Sequence, residues 1–336
     1  MGKMGQTRAD ALEKEGRARI VKVFDIKYEC PVPYPKASSI EEVIADRSIE
    51  AVFICLPNKF NKPTTIAALD AGKHVFCEKP PAFNAAEVRE IIDAERRSGR
   101  VLMYGFNHRH HASVEKMKNL IDSDDYGKVI WLRGRYGKSV DQSYFSTWRA
   151  KKDMAGGGIL IDQGIHMLDL CLYLTKATFD EVHALVSTRY WNLPGIEDNV
   201  FALMRDSTSG VEASIHSTMT QWRHLFSLEV FLERGYLVLN GLKTSSNSYG
   251  EEILSVAKNR TTAPAASWDS EDQYKFDVDV SWDREAIHFF DAVCSGRPVE
   301  YGTSADALAV MSLIDRIYES ERPEAKRLHT SLLGSI

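Results

Sequence analysis

The chain has 336 residues, of which 44% are hydrophobic and 26% are charged, and its formal net charge is −5. This length allows about two domains, and this balance excludes a disordered chain, a collagen-like repeat and a disulfide-stapled miniprotein. The modest negative charge favours neither nucleic acid nor an acidic membrane surface as the main partner.

The five cysteines are scattered and include no CxxC pair, which predicts reduced thiols in a cytoplasmic protein and argues against a zinc cluster. No apolar run approaches the ~20 residues that cross a bilayer. Residues 1–16 form a charged helical pattern without an apolar segment, so we expect no secretory signal there. These features predict a cytosolic globular enzyme.

The first hundred residues alternate predicted strands and helices. The strands are predicted at 19–24, 51–56, 74–77 and 101–105, and the helices at 6–16, 39–46, 62–71 and 84–98. The segment 51–56 (AVFICL) is continuously apolar, as expected of a strand covered on both faces of a parallel sheet. This rhythm predicts a doubly wound parallel sheet, whose ligands bind at the carboxyl ends of the strands. Those ends hold Asp25, Pro57-Asn58, Glu78-Lys79 and Asn107.

From about residue 126 the pattern changes to strands of alternating polarity. They are predicted at 128–137, 181–190, 198–205, 211–219, 226–232 and 236–240, and they suggest a mostly antiparallel sheet. Helices are predicted at 159–175, 283–295 and 303–320, and the polar stretch 243–280 is predicted to be loop. The fold class is therefore an α/β doubly wound parallel sheet followed by an α+β domain on a large, mostly antiparallel open sheet.

The N-terminus carries a partial signature of dinucleotide binding. Gly2 and Gly5 have the spacing of the second and third glycines of G-x-G-x-x-G, where backbone amides approach a pyrophosphate. The first glycine and its preceding strand are missing, and two such glycines could equally mark a flexible terminus. Asp25 favours the functional interpretation, because an acid about 20 residues further on can bind both ribose hydroxyls and favours NAD over NADP, although Lys27 leaves NADP open. We expect that a strand ending in Gly-x belongs before Gly2, through a late assigned start or a truncated gene.

Glu78-Lys79-Pro80 is the first of two motifs suited to proton chemistry. It follows the buried strand HVFC at the ligand edge of the predicted sheet. A charged turn before proline is often only solvated, but this placement favours a lysine that meets both cofactor and substrate. Proline fixes the turn and biases Lys79 toward an extended conformation.

The second motif is GGGILIDQGIHMLDL at residues 156–170. Asp162 and His166 are four residues apart and share one face of a helix that is otherwise apolar and therefore buried. A buried carboxylate and imidazole are costly unless they pair or take part in chemistry. A satisfied core pair and a catalytic dyad both remain open, and a metal site is disfavoured because HxxxH and HExxH are absent.

Four segments resemble the glucose–fructose oxidoreductase / inositol dehydrogenase / MocA family. They are VFICLPNKF at 52–60, VFCEKPPAFNAAEV at 75–88, MYGFNHRH at 103–110 and GGGILIDQGIHMLDL at 156–170. The resemblance implies an NAD(P)-binding Rossmann domain over residues 1–106 and a substrate-binding and oligomerisation domain over 107–336, with a terminal helix that can pack back on the first domain. It also implies hydride transfer between NAD(P) and a sugar or cyclitol carbon.

The resemblance implies roles for individual residues. Lys79 would polarise the reacting hydroxyl, His166 would act as general base in oxidation, and Asp162 would orient the imidazole or bind an adjacent hydroxyl. The implied cofactor residues are Gly2, Lys3, Met4, Asp25, Leu56, Pro57, Asn58, Glu78, Lys79 and Asn107, with NAD as cofactor and NADP not excluded. The implied substrate residues are Lys79, Arg109, Trp148, Arg149, Asp162 and His166, and no metal is implied.

The chain departs from the family pattern in two ways. The first strand and first glycine are absent, and Asn61 stands where the pattern P-N-x-x-H commonly has histidine. An amide can still form hydrogen bonds, but it cannot carry a proton at neutral pH. The first departure puts cofactor affinity in question, and the second removes a titratable group.

The basic residues Lys79, Arg109 and Arg149 make the predicted pocket cationic. This favours a phosphorylated, uronic or nucleotide-linked sugar as the substrate, and the expected assembly is a homodimer or homotetramer built through the C-terminal sheet. Two alternatives remain. The chain could be a non-catalytic sugar or NAD sensor of the same fold, or it could cleave glycosides in a reaction that begins with the same oxidation.

Overall fold

The computed structural model describes residues 2–27, 34–244, 246–258 and 270–321. Contacts divide the chain into two compact units, the first made of residues 1–110 and 280–308 and the second of residues 111–279 and 309–336. Contacts alone therefore place residues 280–308 with the first unit. The division into 1–106 and 107–336 proposed from the sequence remains a proposal.

The first unit contains a parallel sheet, as predicted. Its strands are β1 (Ala51–Ile54), β2 (His74–Glu78) and β3 (Leu102–Gly105), paired in that order. Its helices are α1 (Lys3–Glu15), α2 (Ile40–Ala45), α3 (Asn61–Asp70), α4 (Ala85–Ser98) and α8 (Ser281–Ser295). The register places Glu78 beside Gly105 at the carboxyl end of the sheet.

Local sequence explains where several of these helices begin and end. Ser39 and Asn84 accept hydrogen bonds from the amides of Glu42 and Glu87 and so cap the first turns of α2 and α4. Gly99 ends α4 in the left-handed conformation that glycine adopts without strain. Leu12, Phe76, Met103, Phe289 and Phe290 form a buried core among α1, the sheet and α8.

The strand predicted at 19–24 is wrong. In the described residues this segment makes a single parallel bridge, between Val23 and Lys36, supported by the Val23 amide bonding to Pro35 and the Ala37 amide bonding to Val23. A β-branched run becomes a strand only where a neighbouring strand accepts its amide hydrogens. In the described part of the chain β1 pairs only with β2, so β1 is an edge strand of this sheet.

The second unit contains an eight-stranded sheet in the order β11-β10-β9-β8-β4-β7-β6-β5. Its strands are β4 (Val129–Ser139), β5 (Glu181–Ser187), β6 (Asn199–Arg205), β7 (Glu212–Thr218), β8 (Thr220–Leu232), β9 (Gly235–Asn240), β10 (Glu252–Lys258) and β11 (Asp272–Phe276). All neighbours are antiparallel except β4 and β7. The open, mostly antiparallel sheet is confirmed.

The prediction that the stretch 243–280 is loop is wrong for two parts of it, the strands β10 and β11. β10 pairs with both β9 and β11, and its residues Leu254 and Val256 are buried. Polar residues flank β10 on both sides and hide its short apolar alternation in the sequence. Pairing with β9 overrides that weak local signal.

The helices of the second unit are α5 (Ala112–Asp122), α6 (Lys152–Ala155), α7 (Ile165–Thr175) and most of α9 (Ser304–Ser320). The helix predicted at 159–175 consists of a π-helical turn, Leu160–Gly164, that continues into α7. A β-carbon on Gly134 of β4 would lie 2.4 Å from the Met167 sulfur, so this glycine allows α7 to approach the sheet.

Cys55, Cys77, Cys171 and Cys294 are free thiols, and Cys30 lies outside the described residues. Among the helices of the described ranges, none combines the length and apolarity that a membrane span requires.

Candidate active site

The N-terminus of α1 is open and polar. Gly2 precedes the helix in an extended conformation, and a β-carbon on it would contact nothing within 4 Å. Lys3 and Met4 form the first turn. Such a helix start presents backbone amides and partial positive charge to an anion.

Asp25 lies beside this helix start. Its carboxylate accepts a hydrogen bond of 2.8 Å from the Lys27 amide. Burial alone would raise the pKa of Asp25, but hydrogen bonds, including those from the backbones of Lys27 and Gly2, hold the pKa below its usual value. The carboxylate is therefore ionised at neutral pH, which suits acceptance of two ribose hydroxyls and opposes a 2′-phosphate.

A cavity of about 500 Å³ adjoins Gly2, Gly5, Asp25 and Leu56. This end offers the open helix start and the carboxylate that a dinucleotide requires. The rest of the cavity wall is mixed: it includes the apolar residues Ile20, Val21, Phe53, Phe290 and Val293 and charged residues such as Arg17, Arg19 and Glu50. The residues at the polar end fit the pyrophosphate and ribose of NAD.

The second feature of the first unit is the segment Glu78-Lys79-Pro80, called here the Lys79 turn, which follows β2. The Lys79-Pro80 peptide bond is cis. Asn61 is fully buried and its side-chain nitrogen donates hydrogen bonds to the carbonyl oxygens of Glu78 (3.3 Å) and Pro80 (2.8 Å). Its amide therefore holds the turn on both sides of Lys79.

Arg8 of α1 holds the Glu78 side chain. Its Nε lies 2.7 Å from Glu78 Oε1, and its Nη1 lies 2.6 Å from Oε2 of Glu285 on α8. The guanidinium carbon lies 4.3 Å from the centre of the Phe76 ring and 4.7 Å from that of Trp282. This buried group connects the dinucleotide-type helix start, the Lys79 turn and α8 within the first unit.

The second unit positions Asp162 and His166 on the segment 160–166, called here the His166 turn. Asp162 Oδ2 lies 3.1 Å from Lys138 Nζ, and its Oδ1 lies 3.3 Å from Arg149 Nε. Asp162 lies within the π-helical turn, a rare local geometry that is frequent at functional sites. The carboxylate thus lies between two cations, close in sequence to a buried imidazole.

Two tyrosines lie near this segment. The Tyr136 ring centre lies 6.3 Å from that of His166 and 5.4 Å from that of Tyr249. Burial raises the pKa of Tyr136 well above its usual value, and its hydrogen bond with Tyr249 adds to this. Both hydroxyls are therefore neutral hydrogen-bonding groups at physiological pH.

Glu197 anchors the beginning of the His166 turn. Its carboxylate accepts hydrogen bonds from the amides of Gly158 (2.7 Å) and Leu160 (3.0 Å) and from the Tyr318 hydroxyl (2.8 Å). Burial raises the pKa of Glu197 above its usual value, although these hydrogen bonds act in the opposite direction. Sequence reasoning missed this residue because nothing local relates it to the triple glycine.

The structure places the residues suggested by sequence in two groups. Gly2, Lys3, Met4, Asp25, Leu56, Pro57, Asn58, Glu78, Lys79, Asn107 and Arg109 lie in the first unit, and Trp148, Arg149, Asp162 and His166 lie in the second. The first group brings Asp25 to Gly2, and the second brings Arg149 to Asp162 and Trp148, whose ring centre lies 4.3 Å from the guanidinium carbon.

Two residues of the first group have structural partners. Arg109 is buried and lies 3.1 Å from Asp306, which favours a structural role over the predicted substrate contact. Asn107 donates a hydrogen bond of 3.1 Å to the Ser281 hydroxyl and so ties the end of β3 to α8. Their predicted roles stay predictions.

Sequence reasoning also missed Lys138, Tyr136, Tyr249, Arg8 and Glu285. Lys138 and Tyr136 are two residues apart on β4, a spacing that favours one face of a regular strand, and the pairing of β4 with β8 is irregular between Gly137 and Ser139. That periodicity was the available signal for them.

Two family models match the chain. The model described as "Oxidoreductase family, NAD-binding Rossmann fold" matches residues 1–106, and the GFO/IDH/MocA C-terminal domain matches residues 114–238. The chain belongs to the GFO/IDH/MocA oxidoreductase family. This confirms the family resemblance that the EKP and GGG-x-x-x-D-x-G-x-H motifs indicated.

Family members with assigned activities are similar over parts of their length. The 1,5-anhydro-D-fructose reductase of Ensifer adhaerens is 31% identical over 209 residues, which are 62% of this chain and 62% of that protein. The levoglucosan dehydrogenase of Pseudarthrobacter phenanthrenivorans is 35% identical over 153 residues, or 45% and 39% of the two chains. The inositol 2-dehydrogenase of Salmonella typhimurium is 26% identical over 83% of this chain and 77% of that protein. The first two matches thus span less than two thirds of the relatives.

The fold of this family member also matches solved structures. A levoglucosan dehydrogenase in complex with NADH and levoglucosan superimposes with a TM-score of 0.83 over 95% of both chains, at 24% identity. An aldose-aldose oxidoreductase from Caulobacter crescentus superimposes with a TM-score of 0.77 at 22% identity. At these identities the matches establish the shared fold.

Proposed function

We propose that this protein is an NAD-dependent dehydrogenase that oxidises a hydroxyl carbon of a sugar or cyclitol. One observation carries the proposal. The chain matches both domain models of the family, and it has Lys79 in the first unit and Asp162 and His166 in the second. A sensor would need no such set of proton-handling residues. NAD fits the polar end of the cavity at Gly2 and Asp25 better than NADP, because the ionised Asp25 carboxylate opposes a 2′-phosphate.

The chain's own residues supply positioning and proton transfer. Bound NAD⁺ provides the hydride acceptor. The Lys79 ammonium donates a hydrogen bond to the reacting hydroxyl oxygen and so favours the developing alkoxide. His166 takes the hydroxyl proton as the C–H hydride leaves, and Asp162, held by Lys138 and Arg149, binds an adjacent hydroxyl.

We propose a neutral sugar or cyclitol as the substrate class. The named relatives carry 1,5-anhydro-D-fructose, levoglucosan and inositol in their names. The cationic pocket expected from the sequence is largely balanced, because Arg109 pairs with Asp306 and Arg149 pairs with Asp162. A phosphorylated, uronic or nucleotide-linked sugar is the second candidate, favoured by two cations around the single Asp162 carboxylate.

The test is a substrate screen that follows NADH formation with neutral and anionic sugars. Lys79→Ala and His166→Ala should each lower turnover by about 100-fold while the protein remains folded. Lys128→Ala and His183→Ala, which change the same residue types elsewhere in the second unit, serve as controls. Unchanged turnover in both active-site variants would contradict the proposal. A keto-sugar as the final product would separate simple oxidation from glycoside cleavage.

We also propose that two copies associate through the exposed face of the eight-stranded sheet. Leu185, Phe201 and Leu203 are 62%, 47% and 64% exposed, and Leu185 and Phe201 are cross-strand partners on β5 and β6. Apolar side chains this exposed on adjacent strands mark an interaction surface. Leu203→Glu should halve the mass measured by light scattering, whereas an unchanged mass would contradict this interface.

A cytoplasmic location is proposed on the scattered cysteines alone.

A further inference from the structure

The buried side-chain amide of Asn61 supports the Lys79 turn. Asn61 is 0% exposed, and both hydrogens of its side-chain nitrogen point at main-chain carbonyl oxygens, those of Glu78 and Pro80. The opposite orientation of the amide would bring its oxygen against two carbonyl oxygens, so the donors are assigned unambiguously. Because the two acceptors flank Lys79, one side chain restrains the peptide units on both sides of the lysine.

Arg8 also supports this turn, through its contact with the Glu78 side chain. Its guanidinium contacts Glu78 at 2.7 Å and Glu285 at 2.6 Å, and the rings of Phe76 and Trp282 enclose it. Arg8 is 2% exposed and Glu285 is 0% exposed. Two carboxylates share one cation in a dry environment, so the three charged groups depend on each other for compensation.

Gly105 lies close to both Arg8 and Glu78. Gly105 pairs with Glu78 across β2 and β3, and a β-carbon on it would lie 2.9 Å from Arg8 Nη2 and 3.0 Å from Glu78 Oε2. The guanidinium cannot move away, because two rings and two carboxylates surround it. The glycine at 105 therefore leaves the space that the contact between Arg8 and Glu78 occupies.

We propose that Asn61 and Arg8 are positioning residues that fix the main chain of the Lys79 turn and thereby the direction in which the Lys79 side chain leaves the sheet. This proposal rests on the proposed function of Lys79. Asn61 acts on the two carbonyl groups, and Arg8 acts on the Glu78 carboxylate. Neither residue needs to contact the substrate, and both act through the placement of Lys79.

Asn61→Leu is the sharpest variant, because leucine has a similar shape but no donor. Arg8 is less suitable, since its removal leaves two unpaired buried carboxylates and can unfold the protein. Lys73→Met is the matched control. The Lys73 ammonium is buried in the same unit and likewise donates to two main-chain carbonyl oxygens, those of Asp46 and Ile49, both at 2.7 Å. Asn61→Gln, which keeps the donor, tests for rescue.

Two readouts are measured on the full chain. The first is the rate at which an acylating reagent modifies Lys79, followed across pH by peptide mass spectrometry, and it requires no enzymatic activity. The second is kcat and KM for a sugar that the wild-type protein oxidises. Asn61→Leu should change the Lys79 acylation profile and lower kcat about 10- to 100-fold with KM changed less than about 3-fold, because small misplacement of a catalytic group is that costly. Asn61→Gln should recover part of both.

Lys73→Met should lower the melting temperature to a similar extent while leaving the Lys79 acylation profile and kcat unchanged. The proposal is overturned if Asn61→Leu keeps the wild-type acylation profile, or if Lys73→Met alters that profile as strongly. If the wild-type protein oxidises no sugar but Asn61→Leu still changes the acylation of Lys79, the proposed function fails and the positioning by Asn61 stands.

Discussion

Gly158 lies so close to Glu197 that a β-carbon at residue 158 would be 2.1 Å from the Glu197 carbonyl oxygen and 2.5 Å from its nitrogen. Glu197 also accepts hydrogen bonds from three consecutive amides: its carboxylate binds those of Gly158 and Leu160, and its carbonyl oxygen binds that of Ile159. These are the amides that a helix start leaves without intrahelical partners. One residue of the second unit thus fixes where the His166 turn begins.

Gly158→Ala should destabilise the protein by about 3 kcal/mol, because the methyl group meets main-chain atoms that cannot move without breaking these hydrogen bonds. Urea unfolding measures the loss. Gly210→Ala is the control: residue 210 has a positive φ of 76° but open space around its β-carbon position, so it should cost only about 1 kcal/mol. Equal losses at the two positions would show that close approach to Glu197 is unimportant.

Gly105→Ala should destabilise the protein by about 2 kcal/mol, because the added carbon crowds Arg8 and Glu78. The same change in an Arg8→Lys background should cost less, since lysine lacks the Nη2 atom that the methyl group meets. A double-mutant cycle from urea unfolding measures the coupling between the two positions. Strictly additive costs would contradict the close contact between Gly105 and Arg8.

Stability should depend on pH through His110. Burial, together with the positive charges of His288 and Arg109, lowers the pKa of His110 to about 3. In the unfolded chain a histidine titrates near pH 6.5, so between about pH 6.5 and 3 the unfolded state binds a proton that the folded state does not. Above about pH 6.5 His110 therefore does not lower the free energy of unfolding. As the pH falls further, the free energy of unfolding decreases, by about 2 to 3 kcal/mol at pH 4.5.

His110→Gln removes the titrating group and should reduce the difference in unfolding free energy between pH 7 and pH 4.5. Urea unfolding at both pH values, for the wild type and the variant, measures this difference. A variant with the same pH dependence as the wild type would show that His110 is not the group responsible.

Asp25→Asn should weaken NAD⁺ binding about tenfold, because a charged hydrogen-bond acceptor for ribose hydroxyls becomes neutral. Binding of NADP⁺ should weaken less or improve, since the charge that repels a 2′-phosphate is gone. Calorimetric titration with both cofactors measures the change in preference. Asp70→Asn, on the surface and paired with Arg97, is the control and should bind both cofactors as the wild type does. Equal effects on the two cofactors would contradict the role of Asp25.

The sequence predicted several parts of the fold and the candidate site correctly because their signals are local. The apolar segments at β1, β2 and β3 and the alternation along β4 to β9 all depend on neighbouring residues. The spacing of Asp162 and His166 likewise placed both on one buried, helical segment.

Other parts failed where distant chain segments decide the outcome. Residues 19–24 have the composition of a strand but gain only one bridge, and β10 has weak local character but two strand partners. The Asp306 partner of Arg109 likewise follows from no local pattern, and the substrate contact predicted for Arg109 stays a prediction. Composition cannot reveal such partners.

The sequence by itself determined the family and the order of most elements, and it singled out Lys79, Asp162 and His166 as candidate reactive side chains, because motif spacing and hydrophobic periodicity are properties of nearby residues. Only the tertiary structure decided how those side chains are held. Arg8 meets Glu78 across 70 residues of sequence, and Glu197 meets Gly158 across 39. Such contacts form only when folding removes water from both partners and makes each buried charge or amide depend on the other.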